Sequence, residues 1–249
     1  MATTPAPAAP AMSAISRIFG ALFNPKPTFA DVAARPGWVV PLAVLMVVWF
    51  ALNVVLAKRV DWVAVTRQQT EQNAFAARQL ERLPPEQREQ AMESGARRAP
   101  IVRYVRGVIG WPLVLVIFGG IYLLVFKLIG GARVDYKTTL AILGHAYVPQ
   151  ALRELLGIPV AFLKDPAAID PENFLASNLA AVLSPTAPLW QKALGAGLDV
   201  FGIWSLVLVA VGFSAADPKN VSFGKALGLV IGLFLVILLF FTGLAAFFS

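Results

Sequence analysis

The sequence predicts an all-α fold: a polytopic membrane helix bundle with about five transmembrane helices, an N-terminal interfacial helix and a solvated helical hairpin between spans 1 and 2. Three observations carry this. Of 249 residues, 58% are hydrophobic and only 14% charged, against roughly 25% charged in an ordinary soluble domain. The apolar residues come in runs too long for a compact aqueous core. The polar residues are gathered mainly between those runs, the largest group of them in one segment, residues 58–106.

Residues 1–11 are an Ala/Pro/Thr tract with nothing to bury, expected to be a disordered tail ahead of a membrane domain over 12–249. From Met12 to Phe23, apolar residues recur at three- and four-residue spacing, with Ser13, Ser16, Arg17 and Gly20 opposite. That pattern is an amphipathic helix lying in the interface. A cleaved signal peptide is the competing reading. Arg17 interrupts the apolar stretch and no clean Ala-x-Ala site follows, so the arm is expected to stay attached. Asn24-Pro25-Lys26-Pro27 should end the helix.

The first run, Trp38 to Ala57, matches the roughly 30 Å hydrocarbon layer. Pro41 falls in its first turn, where a missing N–H costs little, and Trp38 and Trp62 flank it as interfacial aromatics. Gly107 to Ile129 is the second run, with Lys127 near enough to its end to snorkel. Between them the Gln-, Glu-, Arg- and Ala-rich segment 58–106 favours helix, broken at Leu83-Pro84-Pro85. Leu198 to Phe213 and Ala226 to Phe248 are two further spans, joined by the turn Ala216-Asp217-Pro218-Lys219-Asn220.

The run before them, Thr139 to Leu163, is harder to place. Gln150, Arg153 and Glu154 sit near its midpoint and Pro149 and Pro159 interrupt it, so it is either a kinked full span or a re-entrant pair of half-helices. A short internal similarity favours the full span. Val134-Asp135-Tyr136-Lys137-Thr138-Thr139-Leu140 and Val221-Ser222-Phe223-Gly224-Lys225-Ala226-Leu227 each place an N-cap residue and then an aromatic before a span, as two helix starts on one membrane face. Basic residues are spread almost evenly over the two faces, so charge does not set the orientation.

At this point the chain resembles the Yip family of integral membrane proteins, in its bacterial-type form. Pro25 and Phe29 in Asn24-Pro25-Lys26-Pro27-Thr28-Phe29, followed by Pro36, Trp38 and Pro41, are similar to that family's surface helix, Pro-x-x-x-Phe turn and proline-rich first span. Gly144-His145-Ala146-Tyr147-Val148-Pro149 is similar to its Gly-Tyr-x-x-x-Pro motif, with His145 standing where the family has tyrosine. The resemblance implies five spans and a multi-pass location in the cell (inner) membrane. It also implies no Rab GTPase partner, since that partner belongs to the eukaryotic members.

Candidate chemistry is sparse. The chain has no cysteine and a single histidine. His145 would need a carboxylate partner to act as a base, and only Glu154 is near in sequence, about 13–14 Å along a straight helix. Arg153 and Glu154 are more informative, because a charge near the bilayer centre costs at least about 2.5 kcal/mol and persists only with a partner. Adjacent helical residues do not face each other, so each needs its own partner, for which Gln150, Asn53 and Asp199 are candidates. His145, Gln150, Arg153 and Glu154 are thus a candidate polar intramembrane site. Gly228 and Gly232 fit the small-xxx-small helix-packing pattern, within one subunit or between two.

Enzyme readings fail on inventory: the sequence has no phosphate-binding glycine loop, no His-Glu-x-x-His and no Gly-x-Ser-x-Gly. Neither a cofactor nor a metal is expected. A net charge of +7 without an aromatic-basic patch argues for lipid headgroups over nucleic acid. The expected role is a non-catalytic membrane scaffold or adaptor, its partners being the bilayer and other membrane proteins or copies of itself. The alternative is a transporter or channel component with a polar site at the broken third helix.

Overall fold

The computed structural model describes residues 11–184 and 186–247, with the side chain of Ala74 left out. Most of the expected tail, and Phe248 at the end of the last expected span, lie outside the described residues. The architecture is an all-α membrane helix bundle. Three of its helices are long and apolar enough to cross a bilayer: α3 (Val39–Arg59), α6 (Pro85–Leu128) and α11 (Phe223–Phe247).

The interfacial helix α1 (Ala14–Phe23) begins two residues later than its apolar pattern, at the Ser13 cap, whose hydroxyl accepts from Ser16 N at 3.1 Å. It ends at Asn24 as expected. A second helix, α2 (Pro25–Ala34), starts at once, because Pro25 occupies a first-turn position where its fixed φ helps and its missing N–H is no loss.

The hairpin differs from its expected form. The break at Pro84 is present, but a second one at Asn73 divides the outgoing arm into α4 (Trp62–Gln72) and α5 (Ala74–Glu81). Asp61 and Asn73 cap these helices. The returning arm is not separate from the second span: α6 is one helix of 44 residues from Pro85 through the apolar run, with Pro100 and Pro112 inside it. The returning arm of 58–106 therefore enters the second span without a break in the helix. Trp62 flanks the first span as expected, its indole donating to Ala57 O at 3.2 Å.

Past α6, Gly131 adopts φ +65°, the left-handed conformation that closes a helix at little cost only for glycine. The third run divides at Tyr147 into α7 (Tyr136–Ala146) and α8 (Val148–Leu163), since Pro149 can give no hydrogen bond back to His145. The two halves do not fold back on each other. A Cβ on Gly144 would meet the Pro41 ring at 3.2 Å, one on Gly157 would meet Leu52 at 3.1 Å, and Arg59 caps the end of α8 through the carbonyls of Ala161 and Lys164. This segment accordingly runs alongside α3 from its start to its finish.

Helix α9 (Leu189–Gly197) and the Asp199 cap precede α10 (Val200–Ala216), which returns: Asp199 lies by Arg153 of α8, and Gly212 packs on Ile142 of α7. Helix α11 then descends, with Leu229 by Gly130 and Leu238 by Gly197. Asp217 accepts from Arg133 N at 2.7 Å, which places the loops before α7 and α11 side by side. Both similar helix starts are capped alike, Asp135 accepting from Thr138 N at 2.7 Å and Ser222 accepting from Lys225 N at 3.3 Å.

The core centres on α7, buried from Thr138 through Ala146, and on Phe126 stacked against Phe213 at 3.7 Å. Gly228 and Gly232 do not pack within the subunit: no described atom lies within 4 Å of a Cβ at either. Wide apolar faces of α6 and α11 remain exposed, including Ile109, Leu113, Leu235 and Val236, as suits helices solvated by lipid.

Candidate polar site within the bundle

Arg153 and Glu154 sit on the first turns of α8, where the helix lies between α3 and the start of α10. Glu154 is only 5% exposed. Contrary to the helix-geometry expectation, the two neighbours do interact: Arg153 Nη1 donates to Glu154 Oε1 at 3.2 Å. The guanidinium is long enough to curl back onto its neighbour. Arg153 Nε lies 3.6 Å from Asp199 Oδ2 but is buried without a hydrogen bond among the described residues. The guanidinium also stacks 4.5 Å from the centre of the Phe174 ring, a cation–π contact that strengthens as water is excluded.

Asp199 has three tasks. Its carboxylate caps α10 through Phe201 N at 2.9 Å and Gly202 N at 3.0 Å, accepts from the Ser177 hydroxyl, and faces Arg153. Gln150 is half-buried nearby, its amide 3.9 Å from where a Cβ on Gly202 would lie.

A second cation adjoins this group. Arg103 of α6 donates from Nε to Asn53 Oδ1 at 2.7 Å, from Nη1 to Glu172 Oε1 at 2.7 Å and from Nη2 to Pro171 O at 3.0 Å. Asn53 is itself tied to Trp49 O, and its own carbonyl accepts from Tyr104. Arg103 and Glu172 were not read from the sequence as site residues. The available signal was Arg103 set between Ile101, Val102, Tyr104 and Val105, a charge inside an apolar stretch. Glu172 and Phe174 lie in the connection 164–188, where no periodicity marks them.

His145 does not join this constellation. It is 1% exposed, and Nδ1 lies 2.8 Å from Ala141 O, within its own helix. Its side chain borders a crevice on the far side of α7, among the start of α3 and the N-terminal arm. Trp38, Pro41 and Gly144 meet beside it, and Pro36 lines the same crevice. Phe29 is fully buried against the Gly212 face of α10, and Pro25 starts the helix that carries it there.

The arm is fastened by Asp31 of α2. Arg17 Nε donates to Asp31 Oδ2 at 2.7 Å, Arg35 pairs with Oδ1, and Arg17 Nη1 donates to Arg35 O at 3.0 Å. Burial works to raise the Asp31 pKa, but the Arg17 hydrogen bond and the charges of Arg17 and Arg35 outweigh it and hold the carboxyl below its usual range. A lowered folded-state pKa means that this stabilisation is complete above the ordinary carboxylate value. It is lost only as pH falls through the lowered one.

Among the described residues no group of three or more His, Cys, Asp or Glu side chains stands close enough to hold a metal ion. Comparison with curated proteins and with solved structures gives no match. The family model for the Yip1 domain matches residues 19–245, from the first helix, past the Asp31 fastening and both polar groups, almost to the end of α11. The chain belongs to the Yip1 domain family of membrane proteins.

Proposed function

We propose that the chain is a non-catalytic scaffold or adaptor of the cell (inner) membrane that crosses it five times and holds other membrane proteins, or copies of itself, in place. One observation supports this best: the charged groups inside the bundle are engaged with one another, whereas apolar helix faces on its outside lack any covering. Arg153 is set against Glu154 and Asp199, and Arg103 against Asn53 and Glu172. Meanwhile Gly228 and Gly232, the candidate packing residues, open outward on α11 beside Ile231, Leu235 and Val236. A photo-crosslinking side chain at Val236 or Ile109 in native membranes is expected to give discrete heavier protein bands. Lipid adducts alone from both positions would overturn the reading.

The transport alternative keeps one point in its favour, the buried Arg153 Nε without a hydrogen bond. If it holds, proteoliposomes carrying the chain will show solute flux that vanishes when Arg153 and Glu154 are both made apolar.

Five crossings make a separate prediction. The natural sequence has no cysteine, so single cysteines at Arg133, Lys219 and Gln87 report cleanly to a membrane-impermeant thiol reagent. Arg133→Cys and Lys219→Cys should label from one side and Gln87→Cys from the other. Labelling of the first two from opposite sides would reject the five-span arrangement.

A further inference from the structure

The crevice beside His145 has a volume of about 230 Å³, smaller than the roughly 300–1,000 Å³ typical of drug-sized sites. Its lining includes Arg17 of α1, Trp38 before α3, Val39 and Val40 in its first turn, and Lys137 and His145 of α7. They bring together three unlike chemistries.

The first is a hydrogen-bond acceptor. The Ala141 carbonyl has no proton to give, so His145 Nδ1 carries the hydrogen of that 2.8 Å contact. Nε2 of the neutral ring is then a lone pair. It has no hydrogen-bond partner among the described residues, on a side chain that is 1% exposed and lines this crevice.

The second is positive charge. Lys137 lines the crevice and has no hydrogen bond or close ion pair among the described residues, its charge acting at longer range on Asp135. Around it Arg17 and Arg35 share the single carboxylate of Asp31, and the only other nearby acid, Asp135, is committed to capping α7. Three cations against two acids leave a net positive mouth.

The third is an apolar track leading away. Val39 and Val40 line the crevice and are exposed, and Val47 continues the exposed face one heptad below Val40. On the other side stand the exposed Ile15 and Phe19 of α1. An aqueous anion has no use for such a track, whereas an acyl chain does.

We propose that this crevice binds the headgroup of an anionic, hydroxyl-bearing phospholipid of the phosphatidylglycerol class, its phosphate on Lys137, a headgroup hydroxyl donating to His145 Nε2 and its acyl chains along α3. The unpartnered lone pair decides the headgroup, because it requires a donor, and the net charge decides the phosphate. Arg17 helps to set the potential but is already engaged with Asp31, so it is not the primary contact.

Native mass spectrometry of the full chain, released from detergent with equal amounts of phosphatidylglycerol, phosphatidylmethanol and phosphatidylcholine, tests this. Phosphatidylmethanol carries the same anionic phosphodiester without a hydroxyl. Phosphatidylglycerol should be retained about tenfold over phosphatidylcholine, the scale of one charge-assisted hydrogen bond, and severalfold over phosphatidylmethanol. Lys137→Ala should remove most of the preference over phosphatidylcholine, and Lys137→Arg should restore it. Gly37→Leu, whose Cβ meets no described atom within 4 Å, should weaken all retention by filling the opening.

His145→Phe should erase only the preference over phosphatidylmethanol; if that variant fails to fold, the wild-type comparison of the two anionic lipids still decides. Equal retention of the three lipids, or retention unaffected by Lys137→Ala, would overturn the proposal. So would displacement of phosphatidylglycerol by excess inorganic phosphate, which would make the bare anion the ligand.

Discussion

Arg153→Met is expected to lower the stability of the protein by about 3–5 kcal/mol, because one substitution strands Glu154 and weakens the pairing of Asp199 in a region from which water is excluded. Breaking a buried pair costs more than the pair contributes, since the surviving charge keeps its full desolvation penalty. Glu154 has its hydrogen bond from Arg153, and Phe174 loses the cation stacked on its face. The paired substitution Arg153→Met with Glu154→Leu should recover most of the loss. Asp199 then still holds the N–H groups of Phe201 and Gly202 and the Ser177 hydroxyl, a setting at a helix N-terminus that suits a carboxylate. Unfolding in mixed micelles by titrated denaturing detergent gives both numbers. A single variant as stable as the natural chain, or a double variant no better than the single, would show that the pair is not the unit described.

Phe29→Ala should produce a loss of comparable size, about 3–5 kcal/mol, as is usual for deleting a fully buried aromatic ring. Its consequence is spatially different. A Cβ on Gly212 would come within 3.0 Å of the Phe29 ring, so α10 offers a bare glycine face that the ring shares with Ile142. Without the ring, α2 has only Thr28 and Val32 as buried contacts, and α1 is held chiefly through Arg17 and Asp31. Hydrogen exchange should therefore quicken over residues 14–34 while the Phe126–Phe213 stack stays protected. Uniform loss of protection across the bundle would mean that the arm is part of the central cooperative unit.

Much of the membrane architecture was legible because hydrocarbon imposes a length: α3, the apolar part of α6 and α11 fall where long runs of Val, Leu, Ile and Phe place them. Caps at Asp135 and Ser222 were legible for a local reason, one side-chain oxygen and one N–H three residues on. What escaped was set by contacts distant in sequence. Arg103 reads as part of a solvated hairpin until Asn53 and Glu172, 50 and 69 residues away respectively, close around it. The curled Arg153–Glu154 contact overrides the rule that adjacent side chains diverge, and it is accompanied by Phe174 and Asp199, which are distant in sequence. His145 was grouped with Glu154 by nearness in sequence. The break at Tyr147 and Pro149 instead leaves it facing the N-terminal arm.

The unbroken run of α6 has a mechanical consequence. At about 1.5 Å per residue its 44 residues form a rod of about 66 Å, one end outside the bilayer and the other at the opposite surface. Gly107 seats it against the indole of Trp49 near its middle, with no room for even a methyl group between them. The same helix is also held by Asn53 and Glu172 at Arg103, by Leu140 at Gly119 and by Phe213 at Phe126, so it is clamped along its length and cannot pivot about a single seat. A load on the hairpin is therefore carried into α3 and α7 before it reaches the Gly130–Gly131 corner.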